Sequence, residues 1–240
     1  MKQYLRKSAL LFLPLATVAM TSPAEIVLLD FGSTSYQTSG NWNNITGINE
    51  ANNKTSLINS EGTASGISLN ISTGNFSGTT TYNGNVNADA SMFDAFEAAS
   101  VITDAAWVNS GSTGTLAFGG LDSSLTYNLT IVGARDNPNE RFTRYSVSGF
   151  GSEVLQTTGD DPQAGLGVNW NNNSVVTING ITGVSSFDLT LVGNSTADFS
   201  GANTYSYINA LQIEAVPEAS TFALLALSGI AAIVFKHRRK

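Results

Sequence analysis

Two tryptophans with asparagines on both sides are the clearest candidates for ligand chemistry. Trp42 and Trp170 each stand between two asparagines. An indole face can stack on the apolar face of a pyranose ring while neighbouring amides reach its hydroxyls, so the pattern predicts a sugar platform. The alternative is that both rings seal the ends of the fold, since a tryptophan buries a large area. Trp107 lies between Ala106 and Val108 and is predicted to belong to the core.

An acidic turn is a candidate cation site. Asp160 and Asp161 lie between Gly159 and Pro162. Calcium takes about six to eight oxygen ligands, many of them backbone carbonyls, so this turn is suited to calcium. A complete ligand spacing is absent, which favours the alternative of a solvated acidic turn. No other metal or cofactor is expected.

A cluster of arginines has two interpretations. Arg135, Arg141 and Arg144 lie close together in the sequence, with Asp136 and Glu140 among them. The simplest prediction is a set of ion pairs that hold a surface loop. The alternative is that Arg135 points towards the carboxylate of a ligand, which a guanidinium binds with two parallel hydrogen bonds.

The residue inventory argues against catalysis. The sequence has no Cys, and its single His is His237 in the basic tail, so residues 25–215 hold no Ser-His-Asp triad, Cys-His pair or His/Cys zinc site. Two carboxylates about 5 to 10 Å apart would be enough for a glycosidase. The candidates, which have turn-forming neighbours, are Glu140, Glu153, Asp160 and Asp161. Aspartates in such turns usually serve backbone geometry, so we expect a protein that is not an enzyme.

Period-two alternation shows which elements must position these residues. Apolar and polar residues alternate over residues 67–71, 125–131 and 187–191, and a first strand is predicted at residues 25–31. Clusters of Gly, Asn, Asp and Ser separate the strands. The prediction is an all-β, antiparallel β-sandwich over residues 25–215. One short helix is expected at residues 89–100, where apolar residues recur at helical spacing.

The charge of this region limits its partners. Residues 25–215 contain four basic side chains (Lys54 and the three arginines) against 17 acidic ones, a net charge of −13. A surface this acidic repels phosphate backbones, so nucleic acid is not an expected partner.

Both ends of the chain carry membrane signals. A basic start and an apolar stretch predict a secretory signal peptide over residues 1–24, with cleavage after Ala24 favoured over Ala19. Residues 219–235 would form about 25 Å of apolar helix, enough for a short transmembrane span. Basic residues then stop transfer and stay in the cytoplasm: Lys236, Arg238, Arg239 and Lys240.

The segment 216–240 has a motif, an apolar span and a basic end in that order, and the motif is Val216, Pro217, Glu218, Ala219, Ser220 and Thr221. This order of features resembles the PEP-CTERM sorting signal of Gram-negative bacteria. Ala219 stands where the family has a second proline. The resemblance implies that an exosortase-type membrane protease recognises and processes the tail. It also implies export through a membrane-anchored intermediate to the cell surface or the exopolysaccharide matrix.

The central region has a second resemblance. The runs 119–129 and 207–214 are similar to parts of galactose-binding-like jelly rolls. Together these features predict a non-catalytic structural or adhesive protein associated with exopolysaccharide. A carbohydrate-binding module with a defined sugar site is the alternative, and a carboxylate-dependent glycosidase is a minor one.

Overall fold

The computed structural model describes residues 24–48, 52–71, 76–81, 96, 99–159, 174–197 and 203–217. The chain divides into two units, and the unit Pro23–Pro217 contains all of these residues. The signal peptide, Trp170, Asp160, Asp161 and the sorting signal from Glu218 onward lie outside them and stay predictions. In the ranges described, no helix is long and apolar enough to span a membrane.

The described residues form thirteen strands and one 3-10 helix, Ala99–Ile102. The strands are β1 (Glu25–Phe31), β2 (Asn43–Ile45), β3 (Ser68–Ile71), β4 (Phe76–Thr81), β5 (Asp104–Val108), β6 (Thr113–Gly119), β7 (Leu125–Val132), β8 (Arg141–Val147), β9 (Gly151–Thr158), β10 (Val176–Thr182), β11 (Ser186–Asn194), β12 (Ser206–Ile208) and β13 (Ala210–Pro217).

Two five-stranded sheets and one three-stranded sheet make up the fold. The first has the order β10-β7-β13-β1-β2, the second β3-β6-β11-β8-β9 and the third β12-β5-β4. All pairings are antiparallel except that of β1 with β2. From β6 to β8 and from β9 to β11 the chain alternates between the two large sheets, as in jelly rolls. The predicted all-β antiparallel sandwich is confirmed.

The core lies between the two large sheets, and it follows the predicted alternation. Leu129 and Ile213 from the first sheet share one buried cluster with Leu116, Leu189 and Leu191 from the second. The polar residues between them point outwards, which is why period two could be read from the sequence. Burying one such side chain contributes about 1.5 to 3 kcal/mol.

The predicted helix at residues 89–100 lies mostly outside the described ranges. Phe96 is buried in a second, smaller apolar cluster with Val101, Ile102, Val132 and others, as an inward-facing apolar stripe would require.

One buried asparagine joins the three-stranded sheet to the sandwich. Asn209 lies between β12 and β13 and is fully buried. Its carbonyl accepts the N–H of Phe31 at 2.7 Å, and its side-chain oxygen accepts the N–H of Ala134 at 2.6 Å. Its side-chain nitrogen donates to the carbonyl of Asp104 at 2.5 Å. Three separate strand ends are thereby held together, which fixes where β12 and the loop after β7 meet.

Candidate functional site

A cavity of about 350 Å³ opens beside the three-stranded sheet. Its lining residues are Thr79, Trp107, Arg135, Asn137, Arg141 and Tyr205, and we call this cavity the aromatic groove. They come from β4, β5, the loop after β7, the start of β8 and the segment before β12. A volume of this size is at the lower end for small-ligand sites.

Trp107 lies in this groove, and its predicted place in the core is wrong. Ala106 and Val108 are fully buried, whereas Trp107 between them is only half-buried. Successive side chains in a strand point to opposite faces, so the burial of Ala106 and Val108 places the Trp107 ring on the other face. The residue opposite Trp107 on β4 is Gly78, which has no side chain to cover the indole.

Tyr205 completes an aromatic pair with Trp107. The ring centroids are 5.4 Å apart and the planes make an angle of 64°, an edge-to-face contact. Aromatic pairs prefer this arrangement because the positive edge of one ring meets the negative face of the other. The pair gives the groove a rigid apolar surface.

Arg135 and Arg141 contact tyrosines. The Arg141 guanidinium lies 4.9 Å from the centre of the Tyr205 ring and donates a hydrogen bond to the Tyr207 hydroxyl. Arg135 lies 5.4 Å from the Tyr207 ring and donates to the same hydroxyl at 3.5 Å. In the described part of the chain neither guanidinium forms an ion pair, so the ion pairs predicted for these two residues are not formed there. The alternative, a ligand-facing Arg135, fits its place in the groove.

Backbone hydrogen bonds hold the loop that carries Arg135 and Asn137. Arg135 N–H donates to the carbonyl of Thr157 at 3.0 Å, and Gly159 N–H donates to that of Asn137 at 2.9 Å. The Asn137 side chain accepts the N–H of Asn139 at 3.0 Å. This wall of the groove is therefore formed before any ligand arrives.

The floor beneath the arginines is also fixed. Tyr207 is fully buried, and the Tyr145 hydroxyl donates to its carbonyl at 2.5 Å. Burial raises the pKa of Tyr145, so its hydroxyl keeps its proton and remains a donor. A side chain at Gly133 would lie 2.2 Å from that hydroxyl, so only glycine allows this close packing.

Trp42 lies elsewhere, against the smaller apolar cluster. Its ring is half-buried, 6.2 Å from that of Phe96. The amides beside it bind backbone: Asn41 donates to the carbonyl of Ser60 at 2.9 Å, and Asn43 donates to that of Leu28 at 2.9 Å. These contacts fit the alternative of sealing the fold, and a part for Trp42 in sugar binding stays a prediction.

Two buried aspartates form a separate polar cluster that sequence reasoning missed. Asp104 is fully buried and Asp30 is 3% exposed. Burial raises the pKa of Asp30 to about 6 and that of Asp104 to about 7, and repulsion between the two carboxylates adds to the second shift. Asp30 accepts the N–H of Thr38 at 2.9 Å, and Asp104 accepts that of Ser33. The other oxygen of each carboxylate has no hydrogen-bond partner among the described residues.

The signal for this pair was in the sequence. Asp30 follows Leu28 and Leu29 within a strand pattern, and Asp104 precedes the apolar run of β5. An acid inside an apolar strand is uncommon, because burying a charge is costly. The minor glycosidase candidates Glu140 and Glu153 are instead exposed. Among the residues described, no group of three or more acidic or histidine side chains could hold a metal.

Comparison with solved structures supports the fold. No protein-family model and no curated protein sequence matches this chain. The crystal structure of a plant receptor-like kinase, ANX2, aligns with 81% of this chain and 49% of the receptor chain, at 14% identity and a TM-score of 0.52. The chain thus spans about half of the receptor chain, and the likeness shows a shared fold alone.

Two further structures align less closely. The ANXUR2 extracellular domain from Arabidopsis thaliana has 13% identity and a TM-score of 0.45, over 81% of this chain and 49% of that one. A module named TmCBM61, in complex with β-1,4-galactotriose, has 12% identity and a TM-score of 0.31, over 62% of this chain and 88% of that one. These scores are too low to carry an argument about the site.

Proposed function

We propose that this chain is an exported, non-catalytic protein of the cell surface or extracellular matrix that binds polysaccharide through the aromatic groove. The observation that carries the proposal is the groove itself. It sets the Trp107–Tyr205 pair beside the hydrogen-bonding side chains of Thr79, Asn137 and Arg141. An apolar ring surface next to convergent polar groups matches the two kinds of surface on a pyranose.

The lining of the groove favours binding over catalysis. Glycoside hydrolysis needs a pair of carboxylic acids beside the scissile bond. Among the described lining residues there is no Asp or Glu. The groove supports a defined sugar site, the function that stood as the alternative in the sequence analysis, and it does so at Trp107.

Export is the second part of the proposal, and the chain termini support it. The signal peptide at residues 1–24 directs secretion, and the segment 216–240 is processed by an exosortase-type membrane protease. The domain has no Cys, so it depends on no disulfide in any compartment. Surface or matrix location would place the groove next to exopolysaccharide.

Removing the Trp107 ring tests the groove. Trp107→Ala in the full-length protein should lower affinity for the polysaccharide of the producing cell at least about tenfold, since loss of a stacking ring commonly removes more than about 1.4 kcal/mol. Trp42→Ala is the matched control and should retain binding, while its melting temperature falls. Affinity electrophoresis and thermal unfolding measure the two effects. Unchanged binding by Trp107→Ala would refute the groove as the binding site.

A further inference from the structure

Two of the four cationic side chains of residues 25–215 lie at one place. Residues 25–215 have a net charge of −13, yet Arg135 and Arg141 both line the aromatic groove. We propose that the ligand of this groove is an acidic glycan, one whose sugar carries a carboxylate as a uronic acid does. This inference rests on the proposed function and specifies the class of sugar.

The two guanidiniums have hydrogen-bonding capacity that the described protein groups do not use. A guanidinium carries five N–H donors. Among the described residues, Arg135 and Arg141 share one acceptor, the Tyr207 hydroxyl, and they also lie over the rings of Tyr205 and Tyr207. The face of an aromatic ring attracts the positive charge of a guanidinium but accepts few directed hydrogen bonds from its N–H groups. Both arginines line the groove, so a ligand carboxylate there would supply the missing acceptors.

Tyrosine contacts also hold the arginines in place for such a ligand. The Tyr207 hydroxyl and the Tyr205 ring restrict Arg141, and Tyr207 itself is anchored by Tyr145 and Thr143. A pre-positioned guanidinium loses less conformational freedom on binding. Neutral sugars would not need two arginines in one small cavity, because amide and hydroxyl groups satisfy sugar hydroxyls.

The acidic surface outside the groove limits binding to that place. A net negative domain repels a polyanion everywhere else, so the interaction with an acidic glycan depends on the two arginines. Lys54, the fourth cation of the region, is not among the lining residues of the groove. It therefore offers a charge-matched control.

The test compares acidic and neutral forms of one polymer. Full-length protein in mild detergent is titrated with polygalacturonate, with alginate and with fully methyl-esterified polygalacturonate, in which the same sugar has lost its charge. We expect at least one acidic polymer to bind about tenfold or more tightly than the ester, as charge-assisted hydrogen bonds imply. Arg135→Gln and Arg141→Gln should each remove most of this preference, and Lys54→Gln should leave it within about twofold. Arg141→Lys keeps the positive charge and serves as a second variant in case Arg141→Gln does not fold. Circular dichroism checks the folding of each variant.

Each result decides between the two claims. If the neutral ester, or another neutral polysaccharide, binds as well as the acidic polymers and Trp107→Ala abolishes that binding, the acidic class is wrong and the proposed function stands. If acidic polymers bind but Arg135→Gln and Arg141→Gln bind as well as wild type, the assignment of these arginines is wrong. If wild type binds neither acidic nor neutral polysaccharide, the proposed function fails as well.

Discussion

At the scale of single residues, the carboxylates of Asp30 and Asp104 should make the stability of the fold depend on pH. Both pKa values lie above the usual 3.8, at about 6 and about 7, because burial disfavours the charged forms. The Asp104 carboxyl occupies the space beside Gly32, where an added side-chain carbon would lie 2.1 Å from the Asp104 carboxyl carbon. At neutral pH the fold must hold charge in a place where it is poorly compensated.

Stability should therefore fall as pH rises from about 4 to 8. In this window the folded state binds more protons than the unfolded state, since both folded pKa values are raised, and a rise in pH then favours unfolding. Each pKa unit corresponds to about 1.4 kcal/mol, so each of the two carboxylates should contribute a loss of about 2 to 4 kcal/mol over this window. Urea unfolding between pH 4.5 and 8 measures it.

Asp104→Asn is the companion variant. An amide keeps an oxygen for the Ser33 N–H and removes the charge that repels Asp30. The pH dependence should shrink to about half, with stability at pH 8 equal to that of wild type or about 1 to 2 kcal/mol higher. A wild-type stability that rises between pH 5 and 8 would show that both carboxylates are ionised in the fold, contrary to this account.

At the scale of elements, the groove takes its shape from a close contact with β11. The segment that precedes β12 and carries Tyr205 packs against this strand. Gly193 of β11 faces this segment, and a side chain there would lie 2.4 Å from the carbonyl oxygen of Tyr205. Backbone cannot yield as a flexible side chain does. The glycine thus allows Tyr205 to reach Trp107.

Gly193→Ala should damage both stability and binding. Overpacking of this kind costs about 1 to 3 kcal/mol, and the displacement of Tyr205 should weaken polysaccharide binding. Gly119→Ala is the matched control in β6, where the added carbon would meet only the Ser68 hydroxyl oxygen at 3.1 Å. Thermal unfolding and affinity electrophoresis of both variants give the comparison. Equal effects of the two substitutions would show that the close approach at Gly193 is unimportant.

Trp107 shows where sequence reasoning about elements succeeds and where it stops. Alternation predicted β3, β7 and β11 with the correct buried faces, because one face of each strand meets the core. The same rule would have placed Trp107 outside, had Asp104–Val108 been recognised as a strand. The groove brings Thr79, Trp107 and Tyr205 together with residues 135–141, and these four parts of the chain are distant in sequence. Local patterns carry no information on their meeting.

At the scale of the whole molecule, we propose that the chain is exported and displayed. β13 ends at Pro217, which pairs with Leu125, and the next residue, Glu218, lies within the predicted sorting motif. The last strand therefore ends directly before this segment in the chain.

Glu218 of the predicted sorting motif is expected to control the processing of the tail. Glu218→Leu should block processing, because it changes the motif that the protease is proposed to recognise. It should also lengthen the apolar span, because an acid near the membrane is costly to bury and limits how deep the helix can lie. The variant should remain membrane-anchored with Lys236 to Lys240 still attached. Ala219→Pro, which restores the full family motif, should be processed at least as well as wild type.

Mass spectrometry of the C-terminus, with and without the exosortase, measures the result. Wild-type protein from the surface fraction should lack residues 236–240 only when the exosortase is present. An intact Lys240 that does not respond to loss of the protease would reduce the tail to a plain anchor.

The central claim, that polysaccharide binds at the aromatic groove, is tested most directly through the fluorescence of single tryptophans. The chain has three tryptophans, Trp42, Trp107 and Trp170. A protein with Trp42→Phe and Trp170→Phe reports from Trp107 alone, and one with Trp107→Phe reports from the other two. If sugar binds at the groove, acidic oligosaccharide should produce a saturable fluorescence change in the first protein and none in the second. A change confined to the Trp107→Phe protein would place the sugar at Trp42 or Trp170 and contradict the account.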